Sequence, residues 1–385
     1  MRILHSILAI DHRGGGPVRA VIDLSQAMVD RGHTVATIST TNPDAPESWN
    51  RQGANPRSII HGPRSFRNMR FRGASLTKIR DAIGACDVVH IHGIWTPYQT
   101  QVAREAHRQN KPYVISCRGM LDDWCMDQRR PKKLVYLKAA GGSWMLNHAS
   151  LVHCTAQGEL DQSSKWFPGS TGRVISNLLD LAPFETMPGP AQALEAFPAL
   201  DTDQPTLLFL SRIHYKKGIE HLIQAAALLR DRGNPHRVLI AGSGDDDYQR
   251  GLERLVAELD LADSVSFLGM VLGDLKLSLY QACDLFVLPT SQENFGFVLY
   301  ESLASGTPLL TTKGVDTWPE LQEAGGIITD QDATEIADAI AAHTADREGL
   351  AQRGQQGRSW VFDHLNPRTI ADQFEAFYRD AIDAG

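Results

Sequence analysis

At 385 residues the chain is too long for one ordinary domain and suits two of the usual ~100–200 residues each. Its 42% hydrophobic and 22% charged content is that of a globular protein with ample core, and no apolar run approaches the ~20 residues of a membrane span. The net charge of −7 hides a split: residues 1–180 carry 23 Lys+Arg against 14 Asp+Glu (+9), whereas residues 181–385 carry 15 against 31 (−16). The halves are therefore expected to meet different partners, the basic one an acidic surface or an anionic substrate.

Five scattered cysteines (Cys86, Cys117, Cys125, Cys154, Cys283) form no C-x-x-C pair, which argues against a disulfide framework or a zinc cluster and fits a reducing cytosol. The first residues run directly into a strand pattern, without signal-peptide architecture, so a cytoplasmic protein is expected.

Arg2 to Ile7 reads as a strand and Asp11 to Pro17 as a glycine loop, with Pro17 suited to the first turn of a helix. Val18, Val21, Ile22, Leu24 and Met28 then form a 3.6-period stripe, and a strand follows at 34–39. This is a βαβ opening. Its Gly14, Gly15 and Gly16 are not the G-x-G-x-x-G fingerprint, but they allow a backbone to approach a phosphate or sugar closely. Residues 43–80 are less regular. Arg64, Arg67, Arg70, Arg72, Lys78 and Arg80 interleave there with Phe66, Met69 and Phe71, either as a solvated loop or as a membrane-surface or anionic-acceptor contact. Nucleic acid is disfavoured by the negative total charge and the lack of a recognised motif.

Val88 to His92 reads as a buried strand leading to Trp95, with His90 and His92 on one face. A metal there needs a third ligand, and none stands nearby in sequence; His92, nearest the carboxyl end, is the better site candidate. A strand at 113–116 delivers Arg118 to the same edge. Arg129, Arg130, Pro131, Lys132 and Lys133 open a helix expected to run through Trp144, and strands follow at 151–155 and 173–177. The alternation predicts a parallel sheet.

Residues 181–205, with five prolines and weak periodicity, read as a linker. A second βαβ series starts with the strand 206–210, then Arg212, Lys216, Lys217 and Gly218, then a helix at 219–230. Two cations beside a helix N-terminus suit a diphosphate. A strand at 238–241 precedes Gly242, Ser243 and Gly244. Asp245, Asp246 and Asp247 follow, as helix N-terminal charge or as a divalent-metal site. The strand 264–268 leads to Gly269 and Met270, where a base could rest on backbone. The buried strand 284–289 leads to Glu293, Asn294, Phe295, Gly296 and a helix from Phe297 that carries Glu301. Two carboxylates thus bracket a strand-to-helix turn, the place where open α/β sheets bind ligands. A strand at 309–311 is expected to be the last, and an amphipathic helix begins at Pro367.

Glu293 to Glu301 resembles the E-x7-E motif of retaining GT-B glycosyltransferases of family 4. Gly14, Gly15, Gly16 and Pro17 resemble that family's first glycine turn, and Arg212, Lys217 and Gly218 its R-x4-K-G signature. Gly242-Ser243-Gly244 and Phe267-Leu268-Gly269 match in kind and order. His90, His92, Trp95, Arg118, Trp124, Lys132 and Lys133 resemble a subgroup associated with bacterial surface-polysaccharide assembly.

The resemblance implies an α/β fold of GT-B architecture: two Rossmann-like domains with parallel sheets facing across a cleft. These are an acceptor-side domain, 1–180, and a nucleotide-sugar domain, 206–366, joined by the linker 181–205, with the helix at about 367–385 packing back on the first. It implies that Arg212 and Lys217 neutralise the donor diphosphate. Glu293 would take hydroxyls of the transferred sugar and Glu301 those of the ribose, with Gly15, Gly16, Gly242, Gly244, Gly269, Met270, Asn294, Phe295 and Gly296 completing donor binding. His92, Trp95 and Arg118 are acceptor-side candidates. Many members carry a histidine where Arg118 stands, and a Pro-Asn-Gly pattern is common where this chain has Ser176-Asn177-Leu178; both are departures.

The expected activity is retaining transfer of a sugar from a nucleotide-diphosphate sugar, a UDP- or GDP-sugar, to a hydroxyl of a saccharide or lipid-linked saccharide. No cofactor and no metal are expected, and the basic half could rest on an anionic membrane. The sequence shows no clear nucleophilic carboxylate for a double displacement, so a front-face route is expected. A sugar-nucleotide epimerase of the same architecture and a non-catalytic nucleotide-sugar binding protein are the alternatives.

Overall fold

The computed structural model describes residues 1–11, 14–60 and 72–384. Arg64, Phe66, Arg67, Met69, Arg70 and Phe71 of the expected basic segment, and His12 and Arg13 of the first loop, lie outside the described residues. The chain forms two compact units. One comprises Met1–Leu179 with Pro367–Gly385, and the other Asp180–Asn366.

The first unit holds a seven-stranded parallel sheet of β1 (Arg2–Ser6), β2 (Thr34–Ser39), β3 (Arg57–Ile60), β4 (Val88–His92), β5 (Tyr113–Ser116), β6 (Leu151–Cys154) and β7 (Thr171–Val174). Its spatial order is β3-β2-β1-β4-β5-β6-β7. The second unit holds β8 (Thr206–Leu210), β9 (Arg237–Ala241), β10 (Val265–Gly269), β11 (Leu285–Leu288), β12 (Leu309–Thr312) and β13 (Ile327–Thr329), in the order β10-β9-β8-β11-β12-β13. Crossover helices cover both faces of a parallel sheet, so its central strands are apolar along their whole length. Leu207, Leu208, Phe209, Val238, Leu239, Ile240 and every residue of β11 are fully buried. Two Rossmann-like parallel-sheet units are the fold anticipated from the alternating pattern.

Local departures have physical causes. The expected helix through Trp144 is two helices, Arg130–Ala139 and Gly142–Asn147, because Gly141 takes φ 90 between them. β3 was not anticipated: its four residues at the sheet edge are two exposed and two half-buried, and it lacks an apolar run. The strand at 309–311 is not the last, since the three-residue β13 follows Gly325 and Gly326. The strand expected at 173–177 sits earlier, at Thr171–Val174. Residues 181–205, expected as a linker, are folded: short helices span Ala182–Glu185 and Ala191–Ala196, and the Ala193 N–H donates to Ser278 Oγ at 3.0 Å. Proline is tolerated in the first turn of such short helices, so a proline-rich stretch need not be extended.

The helix Pro367–Asp383 belongs to the first unit. Ile370, Ala371, Phe374, Phe377, Tyr378 and Ala381 form its buried stripe, the spacing of an amphipathic helix on a sheet. Arg31 bonds Asp372 and Glu375, and His33 Nε2 lies 3.0 Å from Glu375 Oε1.

In the second unit the β8–β9 pairing continues past both strand ends. Ser211 N–H donates to Ala241 O at 3.1 Å and Ile213 N–H to Ser243 O at 2.9 Å. A Cβ on Gly242, at φ 143, would lie 1.9 Å from Ser211 O, and one on Gly244 would lie 1.8 Å from Ile213 O. Here the glycines let two backbones touch. Gly242→Ala is expected to destabilise this unit by about 2–4 kcal/mol through backbone displacement, read as a lowered unfolding midpoint in urea.

Candidate functional site

The strand order of the second unit reverses between β8 and β11, and ligands of such sheets bind outside the carboxyl ends at that switch point. The loop after β8 carries Arg212 to Gly218, and the loop after β11 carries Pro289 to Gly296. They are joined at one atom. Lys216 O accepts from Thr290 Oγ1 (2.9 Å), Ser291 N (2.8 Å) and Ser291 Oγ (3.1 Å). This clasp brings Lys217 Nζ onto Glu293 Oε2 as an ion pair, and Lys216 Nζ onto Gln292 Oε1. Lys217 is only 7% exposed.

Glu293 is held from the other side by the loop after β12. Its N–H donates to Gly314 O, and its carbonyl accepts from Asp316 N, both at 2.9 Å. Asn294 Nδ2 donates to Asp316 Oδ2 at 3.0 Å. Burial alone would raise the Glu293 carboxyl. The charge and hydrogen bond of Lys217, helped by Lys216 and Arg212, override it and hold the group below its ordinary value. Arg212 stands exposed at the same edge. The site thus has an ion pair between a buried lysine and a half-buried glutamate, with a further cation beside it.

Gly296 takes φ 73 and caps the helix Phe297–Ala304. That positive φ is why the turn favours glycine; the atom a Cβ would meet, Leu299 Cδ1 at 2.6 Å, is only the mobile end of a side chain. Phe295 is buried and stacks on Tyr300, with centroids 4.5 Å apart, which fixes where the helix starts. The first turn of a helix presents N–H groups and a partial positive charge, suited to an anion. Glu301, in that helix, is buried, and its carboxylate accepts from Lys276 Nζ at 3.0 Å and Tyr280 Oη at 3.2 Å. Gly269 ends β10 at φ 70, and Met270 beside it is exposed. Asp245 caps the helix Asp246–Glu258 by accepting from Tyr248 N at 3.0 Å, and Asp247 pairs with Arg250; two of the three aspartates are thus engaged in helix-terminal contacts.

The first unit has the same reversal, between β1 and β4. Gly15, at φ 74, is the N-cap of the helix Gly16–Asp30 after β1. Register places His5 of β1 beside His90 of β4, and the donor atoms of His5, His90 and His92 lie within 4.8 Å of one another. The third ring missing from the sequence neighbourhood thus comes from a strand more than eighty residues away.

Hydrogen bonds account for these rings. Arg118 Nη2 donates to His92 Nδ1 at 3.0 Å, so His92 Nε2–H faces His5 Nδ1 at 2.9 Å. Ile175 O can only accept, so His153 Nε2–H donates to it at 2.7 Å. Ser116 Oγ then donates to His153 Nδ1 and accepts from His90 Nε2–H, each at 2.7 Å, leaving His90 Nδ1 to accept from Tyr378 Oη at 2.8 Å. Every ring in this assignment is neutral. Arg118 also donates to Asn177 Oδ1 at 2.9 Å, while its Nε and His5 Nε2 have no partner among the described residues. Burial lowers Arg118 to about 10, so it remains charged at neutral pH. Trp95 meets Tyr136 edge-on at 5.6 Å and lies under Lys133, whose Nζ is 5.3 Å from its ring.

The sequence-derived candidates thus gather in two groups, one on each unit. Not anticipated were His5, His153, Lys276, Tyr280 and Asp316, which meet the candidates only through sheet register and helix packing. Glu159, early in the helix after β6, is buried and accepts from Gly119 N and Thr155 N, both at 2.6 Å.

Burial, and then the charge of Arg118, lower His5 and His153 to about 3; burial leads the lowering of His90 and His92, well below the ordinary 6.5. The unfolded chain takes up these protons near pH 6.5, whereas in the folded unit His5 and His153 refuse them until about pH 3 and His90 and His92 stay neutral well below 6.5. Stability is therefore present above pH 6.5 and is lost as pH falls toward 3, by about 1.4 kcal/mol per pH unit for each histidine. Urea midpoints of the first unit should fall steadily from pH 7 to 5; a flat profile would contradict the neutral network.

Two family models match the chain: Glycosyltransferase Family 4 over residues 14–182 and Glycosyl transferases group 1 over residues 191–360. An uncharacterised glycosyltransferase of Methanocaldococcus jannaschii is 29% identical over 307 residues, 75% of this chain and 74% of that protein. The alpha-monoglucosyldiacylglycerol synthase of Streptococcus pneumoniae is 27% identical over 317 residues, covering 77% and 67%. Among solved structures, Anabaena HepE in complex with UDP-glucose aligns with a TM-score of 0.79 at 20% identity, over 98% of this chain and 99% of that one. That last likeness speaks to fold. Together with the two sheets and the matched motifs, these similarities place the chain in family 4 of the GT-B glycosyltransferases.

Proposed function

We propose that this glycosyltransferase moves a sugar from a nucleotide-diphosphate sugar, a UDP- or GDP-sugar, to a hydroxyl acceptor with retention at the anomeric carbon and without a metal ion. The observation that carries the reading is the Lys217–Glu293 pair at the switch point, with Arg212 and the N-terminus of the helix Phe297–Ala304 beside it. A nucleotide sugar has an anionic diphosphate next to a ring of hydroxyls. Donor binding would exchange one internal ion pair for two ligand contacts, the ammonium going to the diphosphate and the carboxylate to the sugar hydroxyls. HepE, which shares this fold and was solved in complex with UDP-glucose, supports a nucleotide-sugar donor.

The step balances as a front-face displacement. The bond from the anomeric carbon to the diphosphate oxygen breaks, and the diphosphate leaves with the electron pair. The acceptor oxygen bonds to the same face, and its proton passes to the departing phosphate oxygen. Charge developing on that oxygen is met by Arg212, Lys217 and helix N–H groups, and one such donor is worth about 3 kcal/mol. The two cations take the part a divalent ion would otherwise have. Glu301 is assigned to the ribose. His92, Trp95 and Arg118 are assigned to the acceptor.

Arg212→Ala and Lys217→Ala should each lower kcat about 100- to 1,000-fold, with activity unchanged in excess chelator. The product decides the class. A glycosylated acceptor with the donor's anomeric configuration by NMR supports the reading, whereas an epimerised donor or an inverted product overturns it.

The acceptor is proposed to be a saccharide or lipid-linked saccharide of bacterial surface-polysaccharide or glycolipid assembly, reached from the cytoplasmic face of a membrane. No helix among the described residues is long and apolar enough to cross a bilayer, so the contact would be peripheral. The helix Arg130–Ala139 presents Arg130, Lys132 and Lys138 with Val135, which is 64% exposed, a combination suited to anionic lipid. The synthase from S. pneumoniae, whose name denotes a glycolipid product, agrees with this direction. Co-sedimentation with phosphatidylglycerol vesicles should weaken with salt and fall about tenfold or more in Lys132→Glu/Lys138→Glu; equal binding to phosphatidylcholine vesicles would remove the charge argument.

A further inference from the structure

Lys276 and Tyr280 are one turn apart on the helix Gly273–Ala282, so both face the same neighbour. That neighbour is Glu301. Lys276 Nζ donates to Oε1 at 3.0 Å and Tyr280 Oη to Oε2 at 3.2 Å. Donors at both oxygens constrain the plane of the carboxylate, although the Tyr280 hydroxyl also lies 3.3 Å from Val298 O. The Glu301 side chain is 2% exposed and that of Lys276 22%, so the ammonium is the outer member of the pair. The residues just ahead of this helix, Met270 and Leu272, are 58% and 69% exposed at the carboxyl end of β10. An apolar shelf suited to the face of a base therefore leads, within one helical turn, to a cation and a carboxylate suited to a ribose.

The geometry points to Lys276 as a positioning residue for the nucleoside: it orients the Glu301 carboxylate toward the vicinal hydroxyls of a ribose and makes the site discriminate ribose from 2′-deoxyribose. A carboxylate buried without a cation is strongly disfavoured, and Lys276 supplies that cation. An ammonium has three N–H donors, and Glu301 engages one of them, so the same group can also donate to a ribose oxygen. The inference rests on reading the second unit as a nucleotide-sugar site.

The full-length protein is titrated calorimetrically with UDP and with GDP, and the tighter ligand is compared with its 2′-deoxy form. Wild type should prefer the ribonucleotide about tenfold or more, the value of one hydrogen bond to a charged group. In Lys276→Met the ribonucleotide should bind about tenfold more weakly and the preference should fall toward one. Lys276→Arg should recover most of both. With the nucleotide sugar, Lys276→Met should raise KM more than it lowers kcat. Lys276→Gln serves as the second variant if the methionine form does not fold. Unchanged affinity and unchanged ribose preference in the variant would overturn the assignment of Lys276 alone. Failure of wild type to bind either nucleotide would overturn the nucleotide-sugar reading and this inference with it.

Discussion

Lys217 and Glu293 stand 76 positions apart in sequence and meet as an ammonium and a carboxylate largely removed from water. Either charge alone would be costly there, so each makes the other's burial tolerable. Their meeting depends on the parallel sheet. β8 and β11 are neighbours at the point where the strand order reverses, and both loops leave the same edge. The three donors on Lys216 O then fix their separation. The candidate site of the second unit is therefore a consequence of topology, tightened by one carbonyl.

The same strand order serves a different chemistry in the first unit. Its switch point is lined by neutral histidines and one buried arginine rather than by an ion pair. The neutral rings form two directional chains. One runs from Arg118 through His92 to His5, and the other from Tyr378 through His90, Ser116 and His153 to Ile175. The second chain begins on the helix Pro367–Asp383 and so ties that helix to the sheet of the first unit. Arg118 takes φ 55, an unusual backbone for a residue with a side chain, and such conformations cluster at functional sites.

The glycines fall into two kinds. Gly296 shapes the entry to the helix Phe297–Ala304, whose first turn carries the partial positive charge of a helix N-terminus. Gly242 and Gly244 serve mainly to bring the β8 and β9 backbones together, although the glycine turns look alike in sequence. A motif match therefore marks where backbone must come close, but not whether it approaches a ligand or another strand.

Much was legible from residues alone. Unbroken apolar runs such as Leu285–Leu288 mark strands covered on both faces, and their alternation with helical stripes dictates parallel sheets. Position within that pattern then places Arg212, Lys217, Glu293 and Glu301 at carboxyl edges, because a residue just past a strand has nowhere else to go. Short edge strands such as β3 and β13 carry too few residues for periodicity to register. The partners of the site groups were illegible for another reason. His5 beside His90, Lys276 on Glu301 and Tyr378 on His90 are pairings of register and helix packing, which depend on three-dimensional neighbours. The sequence by itself determined which groups stand at the strand ends; only the tertiary structure decided which of them touch, because contact is set by strand order and helix docking rather than by distance along the chain.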